Sequence, residues 1–100
     1  MSVFRKMPEK KLLEWSPRSQ YLVERIRAYI EPENPKAAQD VIDEIAITAA
    51  GLRTFPMLGK PWKRESRKLV LPKYPYVIIY KLTPSKVLIL AVAHQSKKNT

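Results

Sequence analysis

Arg64, Arg67 and Lys68, then Lys73, then His94 with Lys97 and Lys98, form a series that could handle a phosphate or a carboxylate. A guanidinium presents a planar fork of donors to an oxyanion, and a lysine presents a compact positive charge. An imidazole titrates near neutrality and can act as acid or base. Two chemistries follow. If the chain cuts RNA, Arg67 and His94 are the catalytic candidates: the basic residues stabilise the scissile phosphate and the imidazole moves the proton. If it only binds, Arg64, Arg67, Lys68, Lys73, His94 and Lys97 form a basic target-binding surface. His94 also fits a plainer part, a strand-end histidine bonded to backbone or water.

Other chemistries find no residues here. The chain has no cysteine and one histidine, which excludes thiolate zinc sites and multi-histidine metal clusters. No metal and no cofactor is expected. Gly51 and Gly59 are the only glycines, and neither lies in a phosphate-binding loop. No serine sits in a nucleophile elbow. Eight of the nine acids fall in the N-terminal half, mostly on solvated helix faces, so a catalytic carboxylate pair is not expected.

The charge is segregated. Residues 1–50 carry eight Lys/Arg and eight Asp/Glu and are neutral overall. Residues 51–100 carry eleven Lys/Arg against Glu65 alone, so the whole net charge of +10 lies there. Such a one-sided field draws polyanions or acidic proteins.

One hundred residues make one domain, which buries roughly 65% of its unfolded surface. The longest apolar run, Val87 to Ala93, is far shorter than the roughly 20 residues of a membrane span. The opening MSVFRKMPEKK lacks the apolar core of a signal peptide. No membrane partner is expected, and the cytoplasm is the expected location. Residues 1–10 are expected to be a mobile extension, 11–97 the domain, and 98–100 a polar tail.

The elements that position the basic residues follow from periodicity. Lys11 to Trp15 is a short strand candidate. Ser16-Pro17 opens a helix, by a capping hydroxyl and a proline at the first turn. Leu22, Ile26, Tyr29 and Ile30 form its apolar stripe. Asn34-Pro35 opens a second helix, with a stripe of Ala38, Val41, Ile42, Ile45, Ala49 and Leu52. The short connection predicts an antiparallel hairpin. Phe55 to Trp62 is an irregular basic loop, in which Trp62 either packs on the core edge or stacks on a base. Three strands close the chain: Lys68–Leu71, Tyr76–Leu82 and Val87–His94. Strand parity groups Tyr76, Ile78, Tyr80 and Leu82, and in the last strand Leu88, Leu90, Val92 and His94.

The predicted fold is α+β: a short N-terminal strand and an antiparallel helix hairpin packed on one face of a small antiparallel sheet ending in a three-stranded meander. The other face stays partly open. The meander runs up, down, up, so Arg67 and His94 should lie about a strand length apart, roughly 17–20 Å. That argues for a spread basic surface over a compact Arg–His pair.

Several of these features occur together in an ordered set: Trp15-Ser16-Pro17, Tyr29-Ile30, Asn34-Pro35 with Ala37-Ala38, Leu52 with Phe55-Pro56 and Gly59, Arg67-Lys68-Leu69, Tyr74 to Tyr80, and Val87 to Leu90 with Val92 and His94. Over about residues 11–97 this set resembles the RelE/ParE superfamily of toxins from bacterial type II toxin–antitoxin systems. The resemblance implies a growth-inhibiting toxin, held in a hetero-oligomer with an acidic cognate antitoxin. It puts Arg67 at the family's arginine position and His94 at the histidine common after the last strand. ParE-like members poison DNA gyrase; RelE-like members cut mRNA on the ribosome. The Asn-Pro-x-Ala-Ala start and the Tyr-Pro-Tyr run lean toward the former. The tail QSKKNT lacks the C-terminal aromatic frequent in the cleaving members. A non-toxic basic binding module is the third reading.

Overall fold

In the computed structural model, which describes residues 10–95, both helix starts are built as their residues dictate. Helix α1 spans Pro17–Ile30 and α2 spans Pro35–Gly51. The Ser16 hydroxyl accepts from the Ser19 N–H at 3.0 Å, and the Asn34 side chain accepts from the Ala37 N–H at 3.0 Å. Each cap satisfies a donor that a first helical turn leaves without an internal partner. Ser16 also donates to the Leu90 carbonyl at 3.2 Å, which ties the start of α1 to the sheet.

The strands are β1 Leu12–Trp15, β2 Lys60–Pro61, β3 Arg67–Val70, β4 Tyr76–Leu82 and β5 Lys86–His94. They form one sheet in the order β1-β5-β4-β3-β2. The last four pair antiparallel, and β1 pairs parallel to β5, Leu12 opposite Lys86 through Trp15 opposite Ile89. The sheet is therefore mixed. No hairpin links β1 to β5; both helices lie between them in the chain, so direction here is set by how the helix layer returns the chain. Lys11 fixes the start of β1 by donating to the Thr83 and Pro84 carbonyls at 2.8 and 3.0 Å. The short strand survives as part of a larger sheet, as a strand of this length must. Strand β2 lies inside the stretch expected to be irregular, where Pro56, Gly59 and Pro61 obscure any strand period.

The core lies between the helix hairpin and one sheet face. Ala38, Val41, Ile45 and Ala49 are buried on α2 and Leu52 at its C-cap, as their spacing predicts. Val41, Ile45, Ala49 and Leu52 meet Ile78, Tyr80, Val87, Ile89 and Val92 from the sheet. On α1, Val23, Ile26 and Ile30 pack against this cluster, while Tyr29 is 79% exposed and leaves the expected stripe. A β-bulge corrects the parity expected for β5. Ile79 lies opposite Ala91 but Tyr80 lies opposite Ile89, so Leu90 is the extra residue. Val87 and Ile89 before it, and Val92 and His94 after it, share the helix-covered face. Leu88 falls on the other. An inserted residue reverses the side-chain alternation, and the alternation of residue types cannot reveal it.

Candidate functional site

The basic residues divide into two groups at opposite ends of the sheet. Arg67 lies opposite Tyr80 on β4, and His94 lies opposite Tyr76. Four residues along β4 and two strand spacings across it separate them by roughly 17 Å. Arg64, Arg67 and Lys68 share one end; Lys73, exposed in the β3–β4 turn, shares the other with His94. Lys97 and Lys98 lie outside the described residues.

At the first end, Arg67 does structural work. Its Nε donates to the Gly59 carbonyl at 2.7 Å, and an Nη donates to the Met57 carbonyl at 3.4 Å. Tyr80 anchors the same loop from below. Its fully buried hydroxyl accepts from the Gly59 N–H at 2.8 Å and donates to the Pro56 carbonyl at 2.7 Å. Gly59 is required by this clamp. A Cβ there would come within 2.7 Å of the Tyr80 hydroxyl and 3.0 Å of the Lys68 carbonyl. Clamping the backbone of 56–59 leaves Phe55, Met57 and Leu58 turned outward, 65, 64 and 60% exposed. Trp62 stands beside them, with the Lys68 ammonium 4.1 Å and the Lys63 ammonium 5.4 Å from its ring centroid. Both distances are within cation–π range.

The β2–β3 connection is strained. Arg64 and Glu65 hold φ of 55° and 62°, and the Ser66 N–H closes the turn on the Lys63 carbonyl at 3.0 Å. Two consecutive positive φ values make a type I′ geometry, normally filled by Asn and Gly. Side chains with a Cβ cost roughly 1–2 kcal/mol each in that region.

At the other end, His94 meets Tyr76 edge-on, ring centroids 5.2 Å apart with planes at 76°. Arg25 and Tyr29 of α1 line the same hollow, whose volume is about 380 Å³ and whose walls include Leu22, Ile26 and Val92. Burial, and secondarily the neighbouring Tyr29 phenol, raises the pKa of Tyr76 above its ordinary value. Among the described residues, no group of three or more His, Cys, Asp or Glu could hold a metal ion, and no helix is long and apolar enough to cross a membrane.

Sequence reasoning missed three features of these ends: the Tyr80–Gly59–Arg67 clamp, the outward apolar loop, and the Tyr29–Tyr76–His94 grouping. A glycine twenty-one positions before a buried tyrosine gives no local signal. The exposed Phe-Pro-Met-Leu run was visible as a breaker-rich segment, and its apolar content in a loop was the available hint.

A helix hairpin on a small mixed sheet, with basic residues at both of its ends, is an α+β fold. Residues 13–99 match the ParE toxin family of the type II toxin–antitoxin system parDE. The chain belongs to that family. It is 33% identical over 88 residues to a Sinorhizobium fredii protein that bears the name "Putative toxin Y4kP", covering 86% of this chain and 92% of that one. Its fold matches a chain of the chromosomal ParDE system of Pseudomonas aeruginosa, with a TM-score of 0.77 at 17% identity over 85% of this chain and 96% of that one. It also matches a chain of the Mycobacterium tuberculosis toxin–antitoxin complex RelBE2, with a TM-score of 0.63 at 16% identity over 85 and 98%. These two likenesses concern the fold.

Proposed function

We propose that this toxin arrests growth in the cytoplasm by poisoning DNA gyrase, and that an acidic cognate antitoxin neutralises it in a hetero-oligomer. The observation that carries this reading is the state of Arg67. Its guanidinium is spent on the Gly59 and Met57 carbonyls, and His94 stands roughly 17 Å away at the far end of the sheet. A backbone separation of that size, with the guanidinium held by the loop, speaks against Arg67 and His94 acting together on one phosphodiester. A surface that binds a macromolecule tolerates that spread. The charge segregation supports the acidic antitoxin, since disordered acidic segments fold onto basic domains.

Ribosome-dependent mRNA cleavage has one observation behind it. His94, Tyr76, Tyr29 and Arg25 border one hollow, and the imidazole with the Arg25 cation could act there without Arg67. Brief induction in growing cells separates the readings. Gyrase poisoning gives lost supercoiling and double-strand breaks with intact transcripts. Cuts at codon positions in translated mRNA, mapped by primer extension, would replace it with the ribonuclease. Undisturbed growth under strong expression would sink both and leave a non-toxic binding module.

A further inference from the structure

The hollow between α1 and β5 holds groups that the gyrase reading leaves unused. Leu22 and Ile26 give it an apolar wall, Tyr29, Tyr76 and His94 supply aromatic surface, and Arg25 supplies a positive charge. None of its lining residues is acidic. Glu24, the acid next to Arg25 in the chain, lies on another side of α1, in the hollow beside Trp15 and 3.9 Å from the Arg27 Nε. A planar aromatic anion entering here meets an attracting cation and no carboxylate on the walls.

The cation and the rings are held in place. Arg25 donates to the Tyr21 hydroxyl at 3.1 Å, and its guanidinium carbon lies 5.8 Å from the centre of the Tyr21 ring. That bond takes one N–H of a planar fork that carries several, so the fork is steadied at the edge of the hollow with donors left for an oxyanion. On the sheet side, Tyr76 and His94 pack edge-on with centroids 5.2 Å apart, which orients both rings. Tyr29 stands across from them on α1 and is 79% exposed, so most of its ring is open to stacking. The volume of about 380 Å³ falls near the small end of the roughly 300–1,000 Å³ typical of ligand pockets. It suits one ring system carrying one anionic group.

We infer that this hollow binds a free mononucleotide, with its base between Tyr29 and the Tyr76–His94 pair and its phosphate on Arg25. The site goes beyond the gyrase reading and needs no cleavage of RNA. A nucleic-acid strand is the less suitable occupant. A strand is tracked by a groove of cations along its backbone, and Arg25 is the one Lys or Arg among the residues lining this hollow. A single nucleotide needs only one cation and one stacking surface, and both are present. Tyr21 is a positioning residue for the phosphate contact, because its hydroxyl and ring hold the guanidinium.

The test is titration calorimetry of the purified full chain with AMP, GMP, CMP and UMP, beside inorganic phosphate and adenosine as half-ligands. At least one mononucleotide is expected to bind about tenfold or more tightly than either half, since each half makes only one of the two contacts. Tyr29→Ala and Arg25→Gln should each weaken that binding about tenfold or more. Both side chains are exposed, so an unchanged thermal midpoint shows that the fold is kept. Trp62→Ala, at the other end of the sheet, should leave the affinity unchanged. Absence of binding by all four mononucleotides overturns the site. Equally tight binding of inorganic phosphate also overturns it, because it shows a bare charge contact. Loss of binding in Trp62→Ala, with none in the Arg25 and Tyr29 variants, moves the ligand to the other end and overturns the assignment. Tighter binding of a single-stranded oligonucleotide, lost in the Arg25 and Tyr29 variants, overturns the free mononucleotide in favour of a strand.

Discussion

The two ends of the sheet carry the same kind of charge in opposite settings. At the Arg67 end, buried hydrogen bonds hold a loop rigid and push apolar side chains outward. At the His94 end, an imidazole and two phenols gather in a hollow between α1 and β5. One end is organised by the backbone groups it must satisfy, the other by side chains that could exchange protons. The difference teaches that a basic residue at a family position need not be a reacting group. Arg67 is bonded to the Gly59 and Met57 carbonyls, while the imidazole and the two phenols lie at the opposite end.

Breaking the clamp is the strongest way to break this comparison. Tyr80→Phe leaves the Gly59 N–H and the Pro56 carbonyl without the buried hydroxyl they share, at a cost of about 2–3 kcal/mol in urea unfolding. Gly59→Ala forces a methyl against that hydroxyl and should cost about 1–3 kcal/mol. Equal stability of either variant with wild type would show that the loop does not depend on the clamp. Arg67→Ala should reduce growth arrest at equal protein level while His94→Ala changes it little. The reverse order would move the active surface to the far end and favour the ribonuclease.

Smaller effects sharpen the contrast. Glu65→Gly relieves a positive φ at a side-chain-bearing residue and should stabilise the chain by about 1 kcal/mol, read as a raised thermal midpoint. No gain would mean that the turn relaxes in solution. The smallest effect concerns Tyr76. Its pKa is raised in the folded state, so above the ordinary phenol pKa the unfolded chain releases a proton that the folded chain keeps. Stability contributed by the neutral buried phenol is therefore complete below that pKa and falls as pH rises through the folded value. Tyr76→Phe should make the alkaline loss of stability shallower, and an unchanged slope would remove Tyr76 from the account. The ion pair of Lys86 with Glu14 at 2.6 Å, both partners well exposed, should contribute only a few tenths of a kcal/mol.

Local rules made the helices legible. A capping serine or asparagine followed by proline marks each start, and the apolar spacing on α2 marks its buried face. Strand β4 was legible in full and β5 nearly so, because their apolar runs are bounded by proline turns. Tyr29 was misplaced because α1 carries adjacent apolar residues at Leu22-Val23 and Tyr29-Ile30, and spacing alone does not say which of each pair faces the sheet. Strand β2 was hidden because two residues hold no period. The separation of Arg67 from His94 was visible from strand direction, which three antiparallel strands determine regardless of side-chain detail.

By itself, then, the sequence determined the helix hairpin, the meander, the segregation of charge and the family to which the chain belongs. Those are properties of local propensity, periodicity and composition, each readable within a few residues or by summing over the chain. The tertiary structure alone decided that β1 runs parallel to β5, that Leu90 reverses the facing of β5, and that the Arg67 guanidinium is occupied by loop carbonyls. It also decided that Phe55, Met57 and Leu58 face outward beside a lysine-flanked Trp62. These depend on pairing between residues far apart in the chain, and only the folded backbone shows which buried donors and acceptors had to be satisfied by which partner.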